Sequence, residues 1–295
     1  MNLFHTYDFQ ATLHFLASTL SFIGSFRTLW VIMRSKFYRK QKSFQIMANI
    51  TVLECAQMAI CFMGGFILLD PNTISPIANR VLGALLMSAW IGLVYLRLVL
   101  AVNRFATITQ FKRMSLLDTV TFHWGSVLVC WMLFTICAIV TLISLDVLYM
   151  DRTIATWDYF DVQSNFRYFD RFSSVFTISF GFCLYVFTWG FIMKHKKHGK
   201  ASDIRLFFAF AASFSYEIGN VISFNVVPKF VSLGEDAFRI MTLSWILLPA
   251  FNSVMLLSIN SGFRKKFFTF IPETMTPSMF VPRSSSRTSP ISNYQ

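Results

Sequence analysis

The chain has 295 residues, of which 55% are hydrophobic and only 14% charged, with 35 Phe against 12 Gly and 8 Pro. An average soluble protein carries about 25% charge. This composition therefore excludes a soluble enzyme, a disordered chain and a disulfide scaffold, and points to a multi-span helical membrane protein. The net charge of +12 does not imply nucleic acid: the Lys and Arg clusters sit between long apolar runs, as in loops held on the cytoplasmic side of a membrane.

A helix that crosses a bilayer needs about 20 mostly apolar residues. Seven such stretches follow one another: Ala11–Met33, Ile46–Leu69, Val81–Val102, Val120–Leu145, Ser173–Met193, Ile204–Val227 and Phe238–Ile259. The opening MNLFHTYDFQ lacks the basic segment of a cleaved signal peptide, so the first run is expected to act as an uncleaved signal-anchor. With the N-terminus outside, the inner connections hold 18 of the 26 basic residues, and the outer ones hold six basic residues among nine acids. The positive-inside rule then sets the N-terminus extracellular and the C-terminus cytoplasmic. Residues 1–271 read as one membrane domain; from Pro272 the apolar density gives way to Pro, Ser and Thr, the composition of a disordered cytoplasmic tail. Ser284, Ser285, Ser286, Thr288 and Ser289 in that tail are candidate phosphorylation sites.

Cys55, Cys61, Cys130, Cys137 and Cys183 all fall inside the runs, so no outer disulfide is expected. His195 and His198 have a weak metal-ligand spacing, in a stretch (KHKKHGK) that reads better as a solvated cationic turn. No catalytic constellation is visible, and no cofactor is implied. The sequon at Asn49 lies within the second run, out of reach of glycosylation.

Three motifs lie in register on these runs. Asn103-Arg104-Phe105 closes the third, within LVLAVNRFATI; Asn49-Ile-Thr-Val-Leu-Glu54 lies in the second; Asn252-Ser-Val-Met-Leu256, followed by Asn260 and Phe263-Arg264, closes the last. Together they resemble rhodopsin-like G-protein-coupled receptors, and most closely the nematode serpentine chemoreceptors of classes X and T. The resemblance implies an all-α seven-transmembrane bundle with a short amphipathic eighth helix, located in the plasma membrane. It further implies an unknown small-molecule ligand taken from outside and a heterotrimeric G protein as partner. Asn103 and Arg104, with Glu54, Arg97 and Asn252 in the polar core, are the residues it assigns to activation and coupling. The chain departs from the pattern at Asn103, which replaces an acid, at Ser253, which replaces the proline, and at Leu256, which replaces the tyrosine. Asn79 stands where such receptors place the cysteine that ties the third span to the second outer loop, and Leu86 stands where amine receptors hold an aspartate. A small transporter or channel is the alternative reading.

Charges at membrane depth are costly and face partners in the bundle interior. Helical rise brings Arg97 and Glu54 to comparable depths, so the two are expected to pair, either as a switch or as a static tie. Arg27 is expected to snorkel to the inner face. Glu217 is deep enough either to border an outward-opening pocket or to sit as a protonated core glutamate. Trp90, Tyr95, Phe176, Phe180, Tyr216 and Trp245 are the aromatic candidates for a ligand cavity, with Glu217 as its polar group. Trp131 has the place of a structural tryptophan in the fourth span. The second outer loop, Asp146–Arg171, is long enough to fold over a pocket mouth, or else is simply a solvated loop. Phe263, Phe267 and Phe270, with Arg264, Lys265 and Lys266 between them, predict an amphipathic helix whose basic face meets anionic lipid.

Overall fold

A long apolar run away from water has to satisfy its own backbone, and a helix does so within one segment. The computed structural model, which describes residues 7–109, 119–144, 148–159, 165–194 and 201–269, turns each of the seven runs into one helix. In chain order the helices are α1 (Tyr7–Arg34), α2 (Lys36–Arg39), α3 (Lys42–Leu69), α4 (Pro76–Thr109), α5 (Val120–Ser144), α6 (Asn165–Lys194), α7 (Ala201–Asn225), α8 (Glu235–Ile259) and α9 (Ser261–Phe268). The fold is an all-α bundle of seven long helices with a short helix after the last, and the chain is a multi-span membrane protein. His195, His198, Lys112, Arg113, Phe160, Phe270 and residues 272–295 lie outside the described residues.

Most of the helices overrun their apolar segments, whereas α5 stays within its run and α7 stops at Asn225, two residues before the expected Val227. α4 begins at Pro76 rather than Val81 and ends at Thr109 rather than Val102. Hydropathy marks only the part of a helix that suits a hydrocarbon layer, whereas intrahelical bonding continues through flanking polar turns such as Asn103-Arg104.

α4 is the central helix. It packs on α3, α5 and α6 and touches α7, while α1 closes the ring against α3 and α8. Some 67% of its most apolar window is buried, against 28% for α5 and for α6. The last two therefore turn most of their apolar side chains outward, including Leu128, Met132 and Ile136 on α5 and Phe172, Phe176 and Phe180 on α6. Among lipid tails, apolar burial gives little net drive, and close packing and hydrogen bonds between helices hold a bundle together. α1 shows the device: Ser18, Ser21, Ser25 and Thr28 form one buried stripe of small residues. From that stripe Ser21 donates to the Ile246 carbonyl (2.7 Å), and the Thr28 and Ser253 hydroxyls meet at 3.3 Å. Likewise Trp131 Nε1 donates to Asn49 Oδ1 at 2.9 Å, so the span-four tryptophan ties α5 to α3.

Between α5 and α6 the chain forms an antiparallel hairpin, β1 (Leu148–Asp151) and β2 (Thr156–Tyr159), with Leu148 opposite Tyr159 and Asp151 opposite Thr156. Met150, Ala155 and Trp157 are buried beneath it. The β1 backbone lies directly on α4, where a Cβ on Gly83 would come within 1.6 Å of the Leu148 carbonyl oxygen. The hairpin covers one end of the bundle and α9 lies at the other.

Arg27 extends towards the α9 end, the direction expected of it, and finds partners there on α9. Its Nε and Nη2 donate to the carbonyls of Phe267 (2.8 Å) and Thr269 (3.1 Å), the orphan acceptors at the C-terminal end of α9. The N-terminal end of α9 is capped by Asn260, whose side chain accepts from the Phe263 N–H, and Phe263 itself is fully buried against Tyr38 and Phe44. The basic residues of α9 are also turned partly inward: Lys266 donates to Ser35 (2.9 Å) and Arg264 to the Leu257 carbonyl (3.2 Å).

Candidate functional site

Halfway along the bundle, five helices converge on one cluster of charged side chains. Glu54 of α3 accepts from Arg97 of α4 at 3.0 Å and from Asn252 of α8 at 2.8 Å through Oε1, and from Ser25 of α1 at 3.2 Å through Oε2. On its other side the Arg97 guanidinium pairs with Glu217 of α7. All three ionic side chains are buried. The expected pair of Arg97 and Glu54 is present, but it is two thirds of a triad. Of the two readings of Glu217 the structure favours the core one: it does not line the pocket at the hairpin end but is the second carboxylate on Arg97. Two carboxylates around one guanidinium leave one negative charge in excess, and the amide of Asn252 and the hydroxyl of Ser25 help to disperse it. A small cavity of about 50 Å³ lies beside the triad, bordered by Tyr185, Phe214, Asn252 and Ser253. It has room for a few waters at most.

Two helical turns towards the α9 end, Arg104 is buried with its guanidinium 5.1 Å from the Phe210 ring centre. Asn103 beside it accepts from Ser43 of α3 at 2.7 Å, so the residue that replaces the motif's acid ties α4 to α3.

At the hairpin end the structure encloses a cavity of about 330 Å³, the lower end of the ~300–1,000 Å³ of small-molecule sites. Its apolar wall includes Leu86, Met87, Trp90, Phe224, Phe238 and Trp245, and the hairpin roofs it with Trp157 and Tyr159. Trp90 and Trp245 meet edge to face at 6.0 Å, and Trp90 Nε1 donates to Ser174 at 3.0 Å. Ser174 in turn donates to Asp170 (3.0 Å), which also accepts from the Tyr159 hydroxyl (2.9 Å). Burial, reinforced by the Asp170 carboxylate, pushes the Tyr159 phenol well above its ordinary value, so it stays a donor.

The hairpin is fastened by side chains that satisfy backbone groups. Asn79 of α4 accepts from the Met150 N–H at 3.0 Å and donates back to the Met150 carbonyl at 3.4 Å. Arg152 donates to the terminal carbonyls of α3 at Leu68 (2.9 Å) and Leu69 (3.0 Å). Arg239 of α8 donates to the Thr153 carbonyl at 3.0 Å. Of the loop that the sequence left open, residues 148–159 thus lie over the pocket.

Of the aromatic candidates, Trp90 and Trp245 line the cavity. Phe176 and Phe180 do not: 60% and 48% exposed, they stack in a row with Phe172 on the outward face of α6. Tyr95 accepts from Ser173 at 3.1 Å, and Tyr216 stacks on Phe251 and bonds to Ser244, so these two tie helices together rather than line the cavity. Trp157, Arg167 and Arg171 line it from the second outer loop, and Asn220 of α7 lines it without having been expected. No family model matches the chain, and no curated protein matches it closely enough to count as a relative.

Proposed function

We propose that the protein is a chemosensory-type G-protein-coupled receptor of the plasma membrane, with the hairpin end and N-terminus outside and the C-terminus in the cytoplasm. In this reading a small molecule enters beneath the hairpin and a heterotrimeric G protein engages the α9 end. The charge asymmetry of the connections supports the orientation, and the motifs around Glu54, Arg104 and Asn252 support the receptor class.

The observation that carries the reading is the register of α4 and α8. Seven residues make nearly two helical turns, so residues seven apart share a face at about 10 Å separation. On α4 that face presents Trp90 to the pocket, Arg97 to the triad and Arg104 to the α9 end; on α8 it presents Trp245 to the pocket and Asn252 to the triad. Pro249 lies between the last two and removes the N–H that would bond the Trp245 carbonyl, which makes α8 easier to bend there. A ligand that displaces the two tryptophans would shift the helices that hold the triad. It favours the active arrangement only to the extent that it binds that arrangement better.

Ligand-dependent nucleotide exchange on a purified G protein, with the receptor in nanodiscs, is the test. A mid-bundle charge cluster would also suit a small transporter or channel. Ligand- or ion-dependent flux in proteoliposomes without nucleotide exchange would replace the receptor reading with that one.

A further inference from the structure

Four charged side chains line the cavity at the hairpin end: Asp158, Asp170, Arg167 and Arg171. The acids are engaged. Both oxygens of Asp170 accept, one from Tyr159 and one from Ser174, and Asp158 Oδ1 accepts from the Tyr159 N–H at 2.8 Å. The arginines act on them through charge alone: Arg171 lies near enough to Asp170, and both near enough to Tyr159, to favour their ionised forms, yet among the described residues neither arginine forms an ion pair or donates a hydrogen bond, and Arg167 lies over the Tyr159 ring at 5.7 Å. Stacking holds a guanidinium by its face and leaves its N–H edges free. Arg167 and Arg171 are four residues apart on α6, so both point along one helix face towards the same mouth. Beneath them the wall is apolar and aromatic, Leu86 included, and the two carboxylates of the lining already accept from Tyr159 and Ser174. A site with spare cationic donors above an apolar slot matches one ligand chemistry.

We infer that this pocket takes a small organic anion, its apolar body between Trp90 and Trp245 and its carboxylate, or an equivalent head, on Arg167 and Arg171. The inference rests on the receptor reading for the pocket's role, but not for its chemistry. A carboxylate accepts charge-assisted, fork-like hydrogen bonds from guanidinium groups; a neutral amide offers a weaker acceptor, and an ammonium none.

Three probes with one body and different heads separate these cases: phenylbutyrate, phenylbutyramide and phenylbutylamine. Binding is measured with tritiated phenylbutyrate on purified protein in nanodiscs of zwitterionic lipid, with empty discs subtracted and the other two as competitors. The expected result is saturable binding of the carboxylate, with the amide and the amine each at least tenfold weaker. Arg171→Gln should weaken carboxylate binding about tenfold while leaving the amide unchanged, and Arg171→Lys should retain part of the affinity, which separates a lost charge from a misfolded protein. Equal or tighter binding of the amine or amide overturns the inference. So does a lack of saturable carboxylate binding, or an Arg167→Gln/Arg171→Gln protein that still elutes as a folded monomer and binds the carboxylate undiminished. Nucleotide exchange scores the receptor reading separately: carboxylate binding without exchange retains the anion pocket and rejects the receptor, whereas exchange driven by the amine does the reverse.

Discussion

The mid-bundle triad and the pocket at the hairpin end both gather charge in an apolar surrounding, and they differ in what is left unspent. Around Glu54 every charged group has a partner from another helix, and the adjoining cavity is of water size. Around Arg167 and Arg171 the acids accept hydrogen bonds, the arginines donate none among the described residues, and the cavity is of ligand size. Two clusters of similar composition therefore differ in what they offer: one ties helices together, and the other leaves room and donors for the ligand proposed above.

The largest effect should come from taking the cation out of the first cluster. Arg97→Met leaves Glu54 and Glu217 facing each other without a counter-charge, and breaking a buried pair typically costs about 3–5 kcal/mol. Surface expression should fall to near background. Because Glu217 is a third member, removing Arg97 and Glu54 together should not restore it; removing all three, with Met or Leu in each place, should recover much of the level. Recovery in the double variant alone would show that Glu217 takes no part.

Next in size is the seat of the hairpin. Gly83→Ala drives a methyl group into the Leu148 carbonyl, and overpacking of this kind costs about 1–3 kcal/mol. The expected signature is faster hydrogen exchange at Met150 and Trp157, with the triad helices unchanged; if exchange stays as slow as in the parent protein, the hairpin does not rest on α4. A smaller loss follows from Asn79→Ala, which removes two hydrogen bonds worth about 1 kcal/mol each. Thermal unfolding in detergent should drop by a few degrees, and reducing agent should change neither protein, since all five cysteines are free.

The smallest effect sharpens the boundary of the pocket. Phe180→Ala changes an outward side chain, where substitutions usually stay within about 0.5 kcal/mol. Ligand binding should match that of the parent protein, whereas Trp245→Ala should abolish it. Equal losses from both would move the ligand site to α6.

The residues explain which parts of this could be read in advance. Seven runs of bilayer length leave a chain few other ways to satisfy its backbone, so the bundle and the short α9 were legible. Arg97 and Glu54 were legible because charges in such runs are rare and their depths agree. Glu217 was not, since depth along a helix says nothing of which neighbour a side chain faces. Phe176 and Phe180 misled for the opposite reason: with 35 Phe in the chain, an aromatic in a span carries little information about its orientation. The hairpin stayed hidden because its strands have four residues each and its turn places Ala155, not Gly or Asn, at a positive φ of 49°.

Asn79 and Met150 have a consequence for how the protein is made and how its hairpin is held. A cystine at that place would need an oxidising compartment and would then be permanent on the timescale of local motions. A side-chain amide paired with a backbone amide forms wherever the two segments meet, in a reducing cytosol or a cell-free extract as readily as in the secretory pathway. It is also reversible: two hydrogen bonds open and close thermally where a disulfide would not, while Arg152, Arg239 and the buried Trp157 keep the strand in its seat.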